Sequence, residues 1–173
     1  MKLHRIAAIV AAAVTLAGCW MSKVPLLEPR EAVFPIRDGT YVRINELDGK
    51  REQIVFRRRG AWYDVTVQGQ GTQRLMFEEI DAGRMEAYAY MIRQSNDAYF
   101  YGAMVFRRRT IEEIRPDCTE DAQYANAVGV RANEDGECVF EDRESLLRAL
   151  EEVALNGRVD YRIEDRDWRD PVG

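Results

Sequence analysis

Residues 38–165 predict an α+β fold, an antiparallel β-meander that is barrel-like or strongly curved, with one C-terminal helix packed on it. Three observations carry this expectation. From Thr40 to Ile114, apolar residues recur largely at every second position, in runs separated by glycines or by polar turn-formers. Those separators are short, so consecutive runs are expected to pair as hairpins. One long segment has helical spacing instead: Leu146, Leu147, Leu150 and Val153 share a face between Asp142, a capping residue, and Gly157, a terminator.

The elements follow in order. In the first strand Thr40, Val42 and Ile44 alternate with Tyr41 and Arg43. Gln53–Arg58 and Trp62–Gln68 flank Arg59-Gly60 and read as a hairpin. Pairing residue numbers that sum to 119 puts Ile54, Phe56, Tyr63 and Val65 on one face and sets Arg57 opposite Trp62 on the other. That outward pair is a candidate cation–π contact. Arg74–Ile80 and Met85–Arg93 follow, divided by Asp81-Ala82-Gly83. These glycines lie between strands, not before a helix, so no phosphate-cradling loop is read. Gln94-Ser95-Asn96-Asp97 is a turn cluster, and pairing numbers that sum to 191 sets Tyr90 opposite Tyr101, Ile92 opposite Tyr99, and Tyr88 opposite Ala103. The other face carries Ala87, Ala89 and Gly102, small residues expected to receive the helix. Both hairpin faces are apolar or amphipathic, which predicts a sheet covered on both sides. Pro116 ends the run through Ile111–Ile114, and residues 117–137 are polar, with one helical turn near Ala122–Ala127. A short strand at Glu137–Phe140 and a last one through Val159, Tyr161 and Ile163 complete the domain, leaving 166–173 as a tail.

Ahead of the domain the chain opens Met1-Lys2-Leu3-His4-Arg5, then runs uncharged from Ile6 to Leu16 and ends Leu16-Ala17-Gly18-Cys19. A basic start and an apolar run of about 11 residues read as a secretory signal; a membrane-spanning helix needs roughly 20. The last four residues closely resemble the lipobox of bacterial prolipoproteins. The resemblance implies that residues 1–18 are a removable signal peptide and that Cys19 receives a diacylglycerol on sulfur and an acyl chain on its amino group. It also implies a location in the cell envelope, lipid-anchored. Trp20 stands where aspartate would favour retention at the inner membrane, so the outer membrane is favoured. Residues 19–37, with Pro25, Pro29 and Pro35, are expected to form the lipidated cysteine and a tether.

Charge and composition then exclude function classes. The chain has 25 basic and 30 acidic residues, and residues 1–18 hold two of the basic ones, Lys2 and Arg5. The 155 residues from Cys19 onward therefore carry a net charge of −7, which argues against a nucleic-acid partner. The one histidine, His4, lies in the signal. No His-based nucleophile system or His-ligated metal is available, and no catalytic residue, metal site or cofactor is assigned. Cys118 and Cys138 remain as an even pair, expected to form a structural disulfide worth roughly 3 kcal/mol. Asn133-Glu134-Asp135-Gly136 resembles part of a calcium loop, but Arg131 at the first ligand position is incompatible with a cation.

Tyr88, Tyr90, Tyr99 and Tyr101 form the candidate binding face, since phenols combine contact area with a polar tip. The competing reading is a sheet face packed under a loop or the tether. Val55-Phe56-Arg57-Arg58-Arg59 recurs 50 residues on as Val105-Phe106-Arg107-Arg108-Arg109, giving two basic clusters suited to phosphate or carboxylate, or to strand-edge protection. The functional expectation is a non-catalytic envelope lipoprotein that binds a protein or glycan. A structural subunit of an envelope complex is the alternative, and a carboxylate-based hydrolase the third.

Overall fold

The computed structural model describes residues 19–94 and 98–165. The expected signal peptide (1–18), most of the Gln94–Asp97 turn and the 166–173 tail lie outside the described residues. The elements are β1 (Trp20–Ser22), β2 (Gly39–Asn45), β3 (Arg51–Arg59), β4 (Trp62–Val67), β5 (Gly71–Ala82), β6 (Met85–Arg93), β7 (Tyr99–Phe106), β8 (Thr110–Ile114), α1 (Ala122–Ala127), β9 (Cys138–Val139), α2 (Arg143–Asn156) and β10 (Tyr161–Asp165). Strands β2 to β8 form an antiparallel meander, and β10 inserts between β8 and β2. Pairing of β6 with β7 completes a closed eight-stranded barrel. Closure removes the free edges that an open meander would leave.

The barrel has two ends of different chemistry. The upper end carries the 46–50 and 68–70 turns, Gln94 and Ala98 at the ends of β6 and β7, and the exit of β8 at Arg115. The lower end carries the 60–61, 83–84 and 107–109 turns. Inside, Ile54, Phe56, Tyr63, Val65, Phe77, Tyr90, Met104 and Ile163 pack together. Outside, α2 lies across β5, β6 and β7 and buries Leu146, Ala149, Leu150 and Val153 against Met76, Ala87, Ala89 and Ala103. Asp142 caps this helix by accepting a 2.8 Å hydrogen bond from the Ser145 amide. Cys118 and Cys138 are joined, with Cα atoms 5.4 Å apart.

Register decides which side chains point inward, and parity of the pairing sum decides faces. The β3–β4 pairing sums to 121, not 119. The turn is Gly60-Ala61, with Gly60 at φ 62°, the position that type II′ hairpins give to glycine. A shift of two preserves parity, so the expected apolar face stands. The β6–β7 pairing sums to 192, not 191, because five residues (94–98) rather than four connect the strands. That shift of one exchanges the faces of β7 relative to β6. Ala87 and Ala89 do meet the helix, but Gly102 faces the barrel interior, where Tyr90 occupies the space.

Residues 20–37 differ from the expected tether. Trp20 is 0 % exposed and packs on Phe140 with ring centroids 5.0 Å apart. β1 pairs with β7 and, in parallel, with β9. Leu26 and Leu27 join the core under α2, Val33 bonds to Phe77, and Ile36 enters the lower end of the barrel. The apolar residues between the prolines make this segment a strap, because burying them outweighs the freedom of a loose spacer.

Candidate functional site

The expected tyrosine face does not exist as one surface. Tyr88 and Tyr90 point into the barrel and Tyr99 and Tyr101 point out, a direct consequence of the one-residue change of register. Tyr90 is fully enclosed among Phe77, Gly102 and Glu113. Tyr101 is buried under the strap, sharing a 2.7 Å hydrogen bond with Ser22 Oγ and accepting one of 3.0 Å from the Leu26 amide. Burial pushes its phenol up to about 12. Tyr88 packs edge-on against Phe106 and donates to Glu86 at 2.8 Å, and its phenol also rises to about 12, first through burial and then through Glu86. Tyr99 is half-buried beside the outer core. These phenols serve packing and strap attachment. The expected Arg57–Trp62 contact is likewise replaced. Arg57 stands opposite Asp64, Arg59 opposite Trp62, and the guanidinium over the Trp62 ring is that of Arg74, 5.4 Å from its centroid.

A polar cluster that the sequence pattern did not show fills the upper barrel interior. Arg43 on β2 points inward, with its side chain 1 % exposed, while Val42 and Ile44 face out. Its Nε donates to Glu113 Oε2 at 3.0 Å and its Nη1 to Glu52 Oε1 at 2.9 Å. The guanidinium lies over the Tyr161 ring, 3.4 Å from the centroid. Glu113 Oε1 accepts from Arg115 Nε at 2.6 Å and from the Tyr90 hydroxyl at 3.4 Å. Burial alone would raise the Glu113 pKa, but Arg115 and Arg43 overcome it and hold the carboxyl below its ordinary value. Arg115 is held above its own, because Glu113 outweighs the burial that would lower it. Glu52 and Glu113 thus carry acid oxygens already committed to guanidiniums. The signal available in sequence was the register itself: β2 pairs Arg43 with Glu52, and β10 brings Tyr161 opposite Glu113.

A second acid–base pair, Glu78 and Arg143, ties β5 to the start of α2. Burial raises the Glu78 pKa against the pull of Arg143. Among the described residues no three His, Cys, Asp or Glu side chains are grouped to hold a metal ion.

Clefts lie at both ends of the barrel. At the lower end Tyr41, Phe106, Ile111 and Ile163 floor a cleft of about 400 Å³ rimmed by Arg107, Arg108, Arg109 and Asp165. The two Val-Phe-Arg-Arg-Arg segments end here, on β3 and β7, four strands apart in a ring of eight, with Phe56 and Phe106 both turned inward. At the upper end a small opening is lined by Cys19, Gln73, Tyr90, Phe100, Arg115 and Pro116. Cys19 bridges to Asp117 where β8 leaves the wall. It is the free cysteine of the described residues, and burial raises its thiol pKa.

Compared with protein-family models, curated proteins and solved structures, the chain matches none.

Proposed function

We propose that this chain is a lipid-anchored protein of the bacterial cell envelope, held at the membrane through Cys19, whose barrel is a non-catalytic binding module for an envelope protein or glycan. The observation that carries the reading is the place of Cys19, the last residue of the lipobox-like Leu16-Ala17-Gly18-Cys19. Cys118 and Cys138 are consumed by the disulfide, leaving Cys19 at an open rim with Trp20 already in the core. A disulfide suits an oxidising compartment. Trp20 in place of aspartate favours the outer membrane.

The packed interior favours recognition at the surface over an enclosed ligand. Phe56, Tyr63, Phe77, Tyr90 and Met104 occupy the space where a lipocalin-like barrel would hold a small molecule. The buried acids are neutralised by arginines, which supports structure more than proton transfer. The surface we assign to a partner is the lower rim, where Arg59, Arg84, Arg107 and Arg108 are exposed. Guanidiniums over an apolar floor suit a protein or glycan that presents carboxylates.

Mass spectrometry of the protein from envelope fractions should show an amino-terminal Cys19 carrying diacylglycerol and an acyl chain. A free thiol or a retained leader refutes the anchor. Cross-linking in intact cells should recover a partner that is lost on changing Arg107 and Arg108 to glutamate. Unchanged recovery refutes the site. One observation favours the alternative reading, a fixed subunit of an envelope complex: with Trp20 buried, no free spacer separates lipid from domain. Co-purification in constant stoichiometry would select that reading.

A further inference from the structure

Every exposed large hydrophobic side chain among the described residues lies toward one end of the barrel. Leu47, 90 % exposed, tips the β2–β3 turn, and Val24, 56 % exposed, follows β1. Leu155, 47 % exposed, is in the last turn of α2, which stops at Gly157 against Ile114 at the top of β8. All three belong to the upper end, the end that carries Cys19. Arg115 links the regions directly, since it lines both the Cys19 opening and the cleft beside Leu47. Tyr101 lines the same opening and hydrogen-bonds the Val24 carbonyl. The two lysines after the signal, Lys23 and Lys50, adjoin Val24 and the Leu47 turn.

We propose, resting on the lipid-anchor reading, that this upper end lies against the bilayer surface, with Leu47 and Val24 dipping into the headgroup region. Trp20 is fixed in the core immediately after Cys19, so a lipid on Cys19 leaves no slack to hold the domain away. Lys23 and Lys50 are exposed beside Val24 and the Leu47 turn and suit headgroup phosphates. Of the acids at this end, Glu46 pairs with Arg162 and Glu120 with Arg158, while Asp48 accepts the Lys50 amide and Glu152 the Asn156 side chain. The contact therefore rests on apolar insertion and suits a bilayer rich in zwitterionic lipid. The arginine rim then points away. Strand β7, eight residues long and leading from the upper end to Arg107, places the rim roughly 20–25 Å away at a tilt of about 40°, more than two Debye lengths in physiological salt. The rim is thus directed to a partner beyond the membrane and not to the headgroups beneath the anchor.

Amide exchange tests the orientation. The chain from Cys19 onward, coupled through that thiol to a maleimide phospholipid, is placed on phosphatidylethanolamine–phosphatidylcholine vesicles and compared with the uncoupled chain in solution. Exchange at 22–26 and 45–50 should slow at least threefold, with 57–61 and 107–109 unchanged. Protection of the arginine turns, or no difference anywhere, overturns the proposal. Because the lipid is attached chemically, an unacylated Cys19 in cells would defeat the anchor reading and leave this result standing. A nitroxide at Leu47→Cys in the naturally acylated protein should register phosphate depth, and one at Arg108→Cys bulk water. The reverse order also overturns the proposal.

Discussion

Replacing Glu113 with glutamine tests whether the interior ion network holds the barrel together. The carboxylate is buried and sits between Arg43 at 3.0 Å and Arg115 at 2.6 Å. At an effective dielectric of about 20, each pair with charge centres near 4 Å is worth about 4 kcal/mol before desolvation is counted. Desolvation offsets several kcal/mol of that gross attraction, so the intact network is not a large net gain. Removing only the anion changes the balance sharply. Arg43 keeps Glu52, but two guanidiniums then share a small space without the charge between them. The expected loss is about 3–5 kcal/mol, out of a total near 5–15 for a domain of this size. In thermal unfolding followed by near-ultraviolet circular dichroism, this amounts to a fall of roughly 10–15 °C in Tm. Arg115→Gln should cost less, since that side chain is 40 % exposed and shares its work with water.

Acid titration gives the same experiment a sign. The Glu113 pKa in the folded chain lies below its ordinary 4.5. Its stabilisation is complete above the unfolded value and disappears as pH falls through the lower, folded one. Wild-type stability should therefore drop below about pH 4.5 more steeply than that of Glu113→Gln, and the two curves should converge in acid. A variant within 1 kcal/mol of wild type at pH 7, or parallel acid limbs, would refute the account.

Glu78→Gln should behave in the opposite way. Its pKa is raised by burial, so the charged form is a burden that grows as pH rises above 4.5. The variant should equal or exceed wild type at pH 7, with the advantage fading at pH 4, and a loss above 1 kcal/mol would contradict this. Gly102→Ala should cost about 1–3 kcal/mol, because the new methyl carbon would lie 2.6 Å from the Ile114 carbonyl oxygen and closer still to the Tyr90 ring. Combining it with Tyr90→Leu should recover part of that loss, and strict additivity in denaturant unfolding would rule out the steric explanation. Tyr101→Phe should cost about 1–2 kcal/mol and speed amide exchange across residues 22–27, since the Leu26 amide loses its acceptor; exchange rates equal to wild type would mean that the strap is held elsewhere. Changing Cys118 and Cys138 together to alanine should cost about 3 kcal/mol by chain entropy over a separation of 20 residues, read as a shift of the urea midpoint.

Strand identity was legible because alternation and glycine turns are local signals. The barrel class, the helix with its Asp142 cap and the disulfide pair followed from residues close in sequence, or from simple counting. Register was not legible in the same way. At Gly60 an error of two residues did no harm to the face assignment, whereas one residue in the 94–98 connection moved Tyr99 and Tyr101 to the opposite side of the wall from Tyr90. Arg43 was not placed for a related reason. Alternation set Thr40, Val42 and Ile44 apart from Tyr41 and Arg43 without deciding which set faces in; closure puts β2 between β3 and β10, where Glu52 and Tyr161 give an inward arginine its partners. Besides nearby Glu52, Arg43 depends on Glu113, 70 positions away, and on Tyr161, farther still, and alternation carries no information at that range.

The strap shows why proline content misled. Pro25, Pro29 and Pro35 rule out a long strand or helix, leaving only the short 3₁₀ turn Pro29–Glu31, and such a segment reads as a spacer. Yet the same residues preset an extended path that costs little further entropy to dock. Leu26, Leu27 and Ile36 supply the burial, and the Tyr101 and Tyr63 hydroxyls fix the backbone at Leu26 and Ile36, the latter at 2.6 Å. The strap thus starts at the rim that holds Cys19 and finishes inside the arginine-bearing end. On the lipid-anchor proposal, tension applied at Cys19 would be carried by the barrel wall along this path, not by a loose linker. That mechanical continuity makes the direction of the lower rim a property of the fold: once Cys19 is fixed in a surface, the position of Arg107 and Arg108 relative to it follows from the strand lengths.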